Sequence, residues 1–120
     1  MKSIIKYFVS LIIFPIVVSS CIFSDSSDEN PEWLQNLILK FETEPVGNPP
    51  QSIWQYEYKN EIVYFVPPQC CDEFSTLYTK DGEFICAPDG GITGDGDGTC
   101  SDFFQESKEA KLVWKDMRER

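Results

Sequence analysis

The cysteines constrain the fold of this chain more than any other feature. Of the five in the sequence, four lie in the second half of the 120 residues, at Cys70, Cys71, Cys86 and Cys100. A domain of this size buries only a modest apolar core. An even number of cysteines in an oxidising compartment predicts disulfides, and each bridge adds about 2–4 kcal/mol of stability. We therefore expect two disulfides.

Two pairings of these four cysteines are expected. A bridge between the adjacent Cys70 and Cys71 would strain the peptide between them. Neighbouring side chains on an extended chain point in opposite directions, so these two cysteines suit separate bridges. This leaves Cys70–Cys86 with Cys71–Cys100, or Cys71–Cys86 with Cys70–Cys100. A tetrathiolate zinc site is the competing interpretation, but such sites usually contain two C-x2-C pairs, which this spacing lacks.

The N-terminus predicts export. Lys2 and Lys6 form a short positive start, and the apolar run from Tyr7 to Val18 that follows is shorter than the roughly 20 residues a membrane-spanning helix needs. A charged start, a short apolar core and small residues after it are typical of a secretory signal peptide. Val18-Ser19-Ser20-Cys21 resembles a bacterial lipobox, which predicts that Cys21 is acylated and becomes the new N-terminus. An ordinary signal peptide that happens to precede a cysteine is the alternative.

Lipidation at Cys21 divides the chain into three parts. Residues 1–20 are the predicted signal peptide, residues 21–30 a flexible tether rich in Ser and Asp, and residues 31–120 a single Cys-rich domain. The acyl chains would anchor the protein to a membrane of the bacterial cell envelope, on its periplasmic or its surface side. An acidic stretch directly after the lipidated cysteine also resembles the surface-export signal of Bacteroidetes-type lipoproteins.

The charge of the chain excludes several functions. Ten basic and twenty acidic residues give a formal net charge of -10, and removal of residues 1–20 takes away two lysines, which leaves -12. An acidic surface repels a phosphate backbone, so we expect no nucleic-acid partner. The sequence contains no histidine, which rules out Ser-His-Asp and Cys-His catalysis and any histidine-ligated zinc.

Residue patterns in the mature chain predict an α+β fold. Apolar side chains at helical spacing predict an amphipathic helix from Pro31 to about Phe41, with Asn30 as its N-cap. We expect this N-terminal helix to pack on a small antiparallel sheet, and we expect disulfides to crosslink the domain. The C-terminal segment suits a helix face, yet residues 111–115 have the composition of a strand.

Two hairpins are expected to form the sheet. Aromatic and β-branched residues at 52–58 and 62–66 predict the first hairpin. Its second strand is apolar on both faces, which is typical of a strand in the middle of a sheet. Residues 75–79 and 83–87 flank a Lys-Asp-Gly turn and predict the second hairpin.

Aromatic side chains of these strands suit either a core or a ligand. Trp54, Tyr56 and Tyr58 alternate along the first strand and therefore share one face. With Tyr64 and Tyr78 they form a stripe of the kind that binds a sugar or a peptide. An aromatic face buried beneath the helix is the alternative.

The loop at residues 89–102 is the most suggestive segment for metal binding. It contains four carboxylates, Asp89, Asp95, Asp97 and Asp102, among glycines and without Lys or Arg. Calcium takes about six to eight oxygen ligands, so these aspartates are candidate calcium ligands. The EF-hand pattern fails, because Cys100 falls where glycine is required. A glycine turn whose aspartates bond the local backbone is the alternative.

Two strings of the sequence carry a resemblance to a known family. They are Pro67-Pro-Gln-Cys-Cys-Asp72 and Pro88-Asp-Gly-Gly-Ile-Thr-Gly94. With shorter matches across nearly all of residues 31–116, they resemble a family of small Bacteroidetes-type bacterial lipoproteins with a single Cys-rich domain of unknown function. The resemblance implies a secreted or anchored module, favours a strand at residues 112–115 and supplies no activity.

Three functions remain as hypotheses. The first is a lipid-anchored, non-enzymatic binding module whose loops at 69–73 and 89–99 contact an unknown protein or glycan. The second is a calcium-binding surface protein that uses the loop at 89–102. The third is a hydrolase with paired carboxylates, for which Asp72 with Glu73 and Glu57 with Glu61 are the candidates. Twenty acids make chance pairs certain, so we assign no catalytic residue.

Overall fold

A computed structural model describes residues 30–70 and 72–120 of the chain. The predicted signal peptide, the predicted acylation site Cys21, nearly all of the tether and Cys71 lie outside these residues. The elements, in chain order, are α1 (Glu32–Thr43), β1 (Ser52–Tyr58), β2 (Glu61–Val66), β3 (Thr76–Thr79), β4 (Phe84–Cys86), α2 (Phe103–Glu106) and β5 (Lys108–Lys115). Within the described ranges, no helix is both long and apolar enough to cross a bilayer.

The strands form one antiparallel sheet in the order β4-β3-β2-β1-β5. The α+β class and both predicted hairpins are confirmed. β2 lies at the centre of the sheet, as its apolar residues on both faces predict, and its last four residues are all buried. The C-terminal segment pairs with β1 as an edge strand, so the strand interpretation is confirmed over the helix.

Helix α1 begins one residue later than expected. Pro31, and not Asn30, is the N-cap, and no side chain caps it. The prediction for Asn30 is wrong because its carbonyl group accepts a hydrogen bond from the Gln35 side chain (2.6 Å), while the carbonyl of Pro31 accepts the first helical bonds, from the amides of Leu34 and Gln35. A proline supplies no N–H, and its fixed φ suits this position.

One face of the sheet packs against α1. Leu34 of the helix and Ile53 of β1 are fully buried there. The Trp33 ring meets Tyr64 edge-on at 5.3 Å between centroids, and Phe41 stacks on Trp114 at 5.9 Å. The expectation that the helix covers one face of the first hairpin is confirmed.

The opposite face is covered by the segment that contains α2, which the sequence analysis did not predict. Phe103 is fully buried against Tyr58, Phe65 and Leu77. The predicted aromatic stripe is therefore split between two cores, with Tyr56 and Tyr58 on this side. Tyr64 lies on the helix side, because its cross-strand partner is Gln55 and not an aromatic residue of β1.

The disulfide pairing differs from both expected alternatives. Cys86 is bonded to Cys100, with 6.2 Å between their Cα atoms. Both predicted pairings joined Cys86 to Cys70 or Cys71 and are wrong. The loop after β4 folds back over the α2 side of the sheet, so Cys86 and Cys100 meet in the core around Phe103. Cys70, which is also disulfide-bonded, is exposed beyond the end of β2.

Candidate functional site

Two loops meet at the end of the sheet where β2 and β4 finish. The amide of Gly91 donates to the carbonyl of Glu73 (3.0 Å), and the amide of Ser75 donates to the carbonyl of Asp89 (3.1 Å). The Ser75 hydroxyl also bonds the backbone of Asp89, at 3.0 Å to both its N and its O. Ser75 is almost fully buried, so it ties the two loops together from beneath. The structure thus joins the two loops that the binding hypothesis named.

Glycines make this close approach possible. Gly90 has φ +84°, and a Cβ at that position would overlap the carbonyl oxygen of Glu73. Gly91 has φ +75°, and a Cβ there would lie 2.6 Å from the ring of Phe74. Positive φ and close backbone contact are both conditions that glycine alone meets easily. The Asp-Gly-Gly string therefore positions Phe74 against the second loop.

The joined loops present apolar and acidic side chains together. Phe74 is 56% exposed and Ile92 is 91% exposed. Exposed carboxylates of Asp72, Glu73 and Asp95 flank them. We call these five residues the two-loop surface. No basic residue occurs at positions 60–79 or 81–107, so the charged side chains of both loops are all acidic.

Asp97 shapes the second loop. Its Oδ1 accepts a hydrogen bond from the amide of Thr99 (2.9 Å), and its Oδ2 accepts one from the amide of Ala87 (3.0 Å). These bonds, that to Thr99 first, hold the pKa of the Asp97 carboxyl below its usual range. Asp97 thus behaves as the alternative interpretation expects, as an aspartate that bonds the local backbone.

Asp102 lies at the β1–β2 turn instead. The hydroxyl of Tyr58 donates to its Oδ1 (2.6 Å), and Lys59 Nζ lies 3.8 Å from its Oδ2. The bond from Tyr58 lowers the pKa of Asp102, and the charge of Lys59 adds to that effect. Burial, followed by the bond to Asp102, raises the pKa of Tyr58. The contacts of Asp102 with Tyr58 and Lys59 therefore connect the start of α2 to the first hairpin.

The four predicted calcium ligands are therefore not gathered in one place. Among residues 30–70 and 72–120, no three carboxylate, thiolate or imidazole side chains form a group that could hold a metal ion. Asp89 Oδ1 is buried and has no hydrogen-bond partner among these residues. Calcium binding stays a prediction, and calorimetric titration with calcium checks it.

The two candidate pairs of catalytic carboxylates are not arranged as an active site either. In the β1–β2 register Glu57 faces Ile62, whereas Glu61 faces Tyr58. Side chains of adjacent positions alternate, so Glu57 and Glu61 lie on opposite faces of the sheet. Asp72 and Glu73 are both exposed on the two-loop surface.

An ion pair that the sequence patterns do not indicate joins the buried Asp116 to the more exposed Arg118. Asp116 is only 3% exposed, and its carboxylate accepts two hydrogen bonds from the Arg118 side chain, at 2.7 and 3.0 Å. The same guanidinium donates to the carbonyl groups of Phe41, Glu42 and Glu44 at the C-terminus of α1. A cation at this position satisfies carbonyls that the helix leaves without partners.

Acid is expected to weaken the ion pair between Asp116 and Arg118. The bonds from Arg118 lower the pKa of Asp116 below its value in the unfolded chain. The stabilisation is therefore complete above about pH 4 and is lost as the pH falls through the lowered pKa. We expect Asp116→Asn to reduce stability at pH 7 and to flatten the loss between pH 5 and pH 2, measured by urea unfolding at each pH. Glu119→Gln, which removes an exposed carboxylate, is the control, and parallel curves for Asp116→Asn and wild type would contradict the assignment.

The fold and this site define a small disulfide-bonded α+β domain with an exposed apolar and acidic loop surface. The chain belongs to the family described as Domain of unknown function (DUF6970), whose model matches residues 39–116. That match begins within α1 and includes both loops of the two-loop surface. No curated protein and no solved structure matches the chain. The expected family of unknown function is confirmed at this level, while its lipoprotein character stays a prediction.

Proposed function

We propose that this protein is a lipid-anchored, non-enzymatic binding module of the cell envelope, and that its two-loop surface holds a basic protein. The observation that supports this most directly is the exposure of Phe74 and Ile92 on loops that are otherwise bonded to each other. Large apolar side chains fixed at an exposed position are costly unless a partner covers them. Aromatic anchors of this kind carry much of the energy of protein interfaces.

Charge identifies the chemistry of the partner. Asp72 and Glu73 directly precede Phe74, Asp95 follows Ile92 on the second loop, and no basic residue occurs at positions 60–79 or 81–107. A surface of this sign attracts a partner with exposed Lys and Arg, raises its rate of association and repels acidic proteins. The partner we propose is therefore a protein with a basic patch that offers an apolar recess to Phe74 and Ile92.

The rigidity of the loops supports binding. The Cys86–Cys100 disulfide closes the second loop, and the bonds of Ser75 and Asp97 hold its backbone. A surface that is already ordered loses less conformational entropy on association. Anchoring through Cys21 adds proximity, because the tether keeps the domain close to the membrane surface where an envelope partner resides.

The test is crosslinking and capture from intact cells with the full chain as bait. We expect a basic protein to be captured, to be released by high salt, and to be lost by about tenfold or more when Phe74→Ala is combined with Ile92→Ala. Phe84→Ala is the matched control, since Phe84 is 62% exposed but lies on the β3–β4 hairpin, away from these loops. Capture that the double variant leaves unchanged, or a captured protein that is acidic, would overturn the proposal.

A further inference from the structure

A cavity separate from the two-loop surface lies between the start of α1 and strands β1, β2 and β5. Its volume is about 300 Å³. The lining residues are Asn30, Pro31, Gln55, Tyr64, Lys111, Leu112 and Val113. Trp33, near the start of α1, donates its indole N–H to Lys80 in the β3–β4 turn (2.8 Å), so this cavity lies towards the end of the sheet opposite the two loops.

Three polar side chains form a row across the floor of this cavity. Lys111 of β5 pairs with Gln55 of β1, and Gln55 pairs with Tyr64 of β2. Directly paired residues on antiparallel strands share a face, so an ammonium, an amide and a phenol stand side by side. Each of the three carries an N–H or O–H group that can donate a hydrogen bond.

Tyr64 is the unusual member of the row. Only 7% of the Tyr64 surface is exposed. Burial raises the pKa of its phenol, so the hydroxyl group stays neutral and can donate a hydrogen bond. Within residues 30–70 and 72–120, its hydroxyl makes no hydrogen bond to another residue. Among the described residues, the Tyr64 oxygen is not one of the fully buried polar atoms without a partner, so it reaches the cavity that the residue lines and can donate to an acceptor bound there. This points to an acceptor in the cavity.

The helix supplies the opposite wall. The carbonyl of Pro31 takes the amides of Leu34 and Gln35, so the amides of Glu32 and Trp33 precede the first helical hydrogen bonds. Amides at this position, and the dipole of the 12-residue helix, favour an anion. No side chain caps this end of α1. Asn30 and Pro31 line the cavity on this side, so an anion in it would lie close to the positive end of the helix dipole and next to the row.

We propose that this cavity binds a carboxylate, between the N-terminus of α1 and the row formed by Lys111, Gln55 and Tyr64. The planar carboxylate has two acceptor oxygens, which can accept hydrogen bonds from neighbouring members of the row. The net negative charge of the chain opposes this only weakly, because salt at 0.15 M screens exposed charges beyond about 8 Å.

The remaining lining favours a carboxylate that carries an apolar group. Pro31 and Val113 border the cavity with apolar side chains, and Val113 packs with the buried residues on the α1 side of the sheet. β5 is also an edge strand, so its outer backbone groups have no neighbouring strand within the sheet. A peptide could add along such an edge with its terminal carboxylate in the cavity. The carboxylate therefore comes either from a peptide C-terminus or from a small organic acid.

The test is an NMR titration of the mature chain with N-acetyl-glycyl-valine, its C-terminal amide and acetate. We expect the free acid to shift the amide resonances of Glu32, Trp33 and Lys111, and the amide compound to leave them unchanged. Lys111→Met and Tyr64→Phe should each weaken binding by about tenfold, as expected for loss of a hydrogen bond to a charged group. Tyr64→Phe keeps the ring that packs on Trp33.

The matched control is Lys115→Met. Lys115 lies on the same strand but pairs with Ser52, which places it on the other face of the sheet. Tighter binding of the dipeptide than of acetate assigns the site to a peptide C-terminus, and equal binding assigns it to a small organic acid. Equal binding of the acid and its amide, or equal effects of Lys111→Met and Lys115→Met, would overturn the proposal.

Discussion

Replacement of Phe103 by alanine is expected to lower the free energy of unfolding by about 3–5 kcal/mol, the range for truncating a buried Phe. Phe103 is fully buried at the centre of the core beneath α2. Its ring lies 5.2 Å from that of Tyr56, 5.3 Å from that of Tyr58 and 5.5 Å from that of Phe65, measured between centroids. Alanine removes all three contacts and leaves a cavity that the surrounding core fills only partly by relaxation.

Urea unfolding of the oxidised protein, followed by tryptophan fluorescence, measures this loss. The free energy of unfolding of a small domain is about 5–15 kcal/mol, so the variant should unfold at a much lower urea concentration. Phe104→Ala is the matched control at the next position, because Phe104 is 52% exposed. We expect it to cost less than half as much, and equal losses for the two variants would show that α2 does not bury Phe103 as described.

Loss of the Cys86–Cys100 bond is expected to cost about 3 kcal/mol, the value for a closed loop of about 15 residues. The bond joins residues 14 apart and restricts the unfolded chain. The two single variants, Cys86→Ser and Cys100→Ser, and the double variant should lose similar amounts, because each removes the same bridge. A loss in the double variant close to the sum of the two single losses would contradict this pairing.

Peptide mapping tests the same pairing directly. Trypsin cleaves after Lys59, Lys80 and Lys108, so Cys86 and Cys100 fall in one peptide, residues 81–108, and Cys70 falls in another, residues 60–80. With the bond observed, peptide 81–108 contains its own disulfide and separates from peptide 60–80 without reduction. Either pairing expected from the sequence would keep the two peptides linked.

The same bridge should matter for binding. It closes the loop that carries Ile92 and Asp95, and its removal gives that loop more conformations in the free protein. The partner captured by the two-loop surface should therefore bind more weakly to the Cys86→Ser, Cys100→Ser double variant. The carboxylate cavity lies elsewhere, so its affinity should change little as long as the domain remains folded.

Regular elements were predictable because their signals are local. The apolar spacing in α1 and the alternation in β1 follow from the periods of a helix and a strand, and these elements form close to the expected positions. The central position of β2 was also predictable, since a strand that is apolar on both faces must be covered on both. The short α2 was not, because four residues are too few to show a helical period.

The candidate sites were predictable only as segments. The sequence indicated the loops around residues 69–73 and 89–99, but it did not indicate that Phe74 packs on Gly91. It grouped Asp89, Asp95, Asp97 and Asp102 by their proximity along the chain, and the fold instead separates their roles. Asp97 bonds its own loop and Asp102 bonds Tyr58, 44 residues away. Contacts over such distances depend on how the loop returns across the sheet.

The charge of this protein, its lack of histidine and the order of its principal helix and strands can be read from the residues alone. The charge and the lack of histidine follow from composition. The order of the elements follows from repeats of apolar residues that are shorter than one helix or strand. The partner of Cys86, the burial of Phe103 and the row of Lys111, Gln55 and Tyr64 emerge from the folded arrangement instead. Each of these requires the register between elements that are distant in the chain, and register follows from the packing of both faces of the sheet at once.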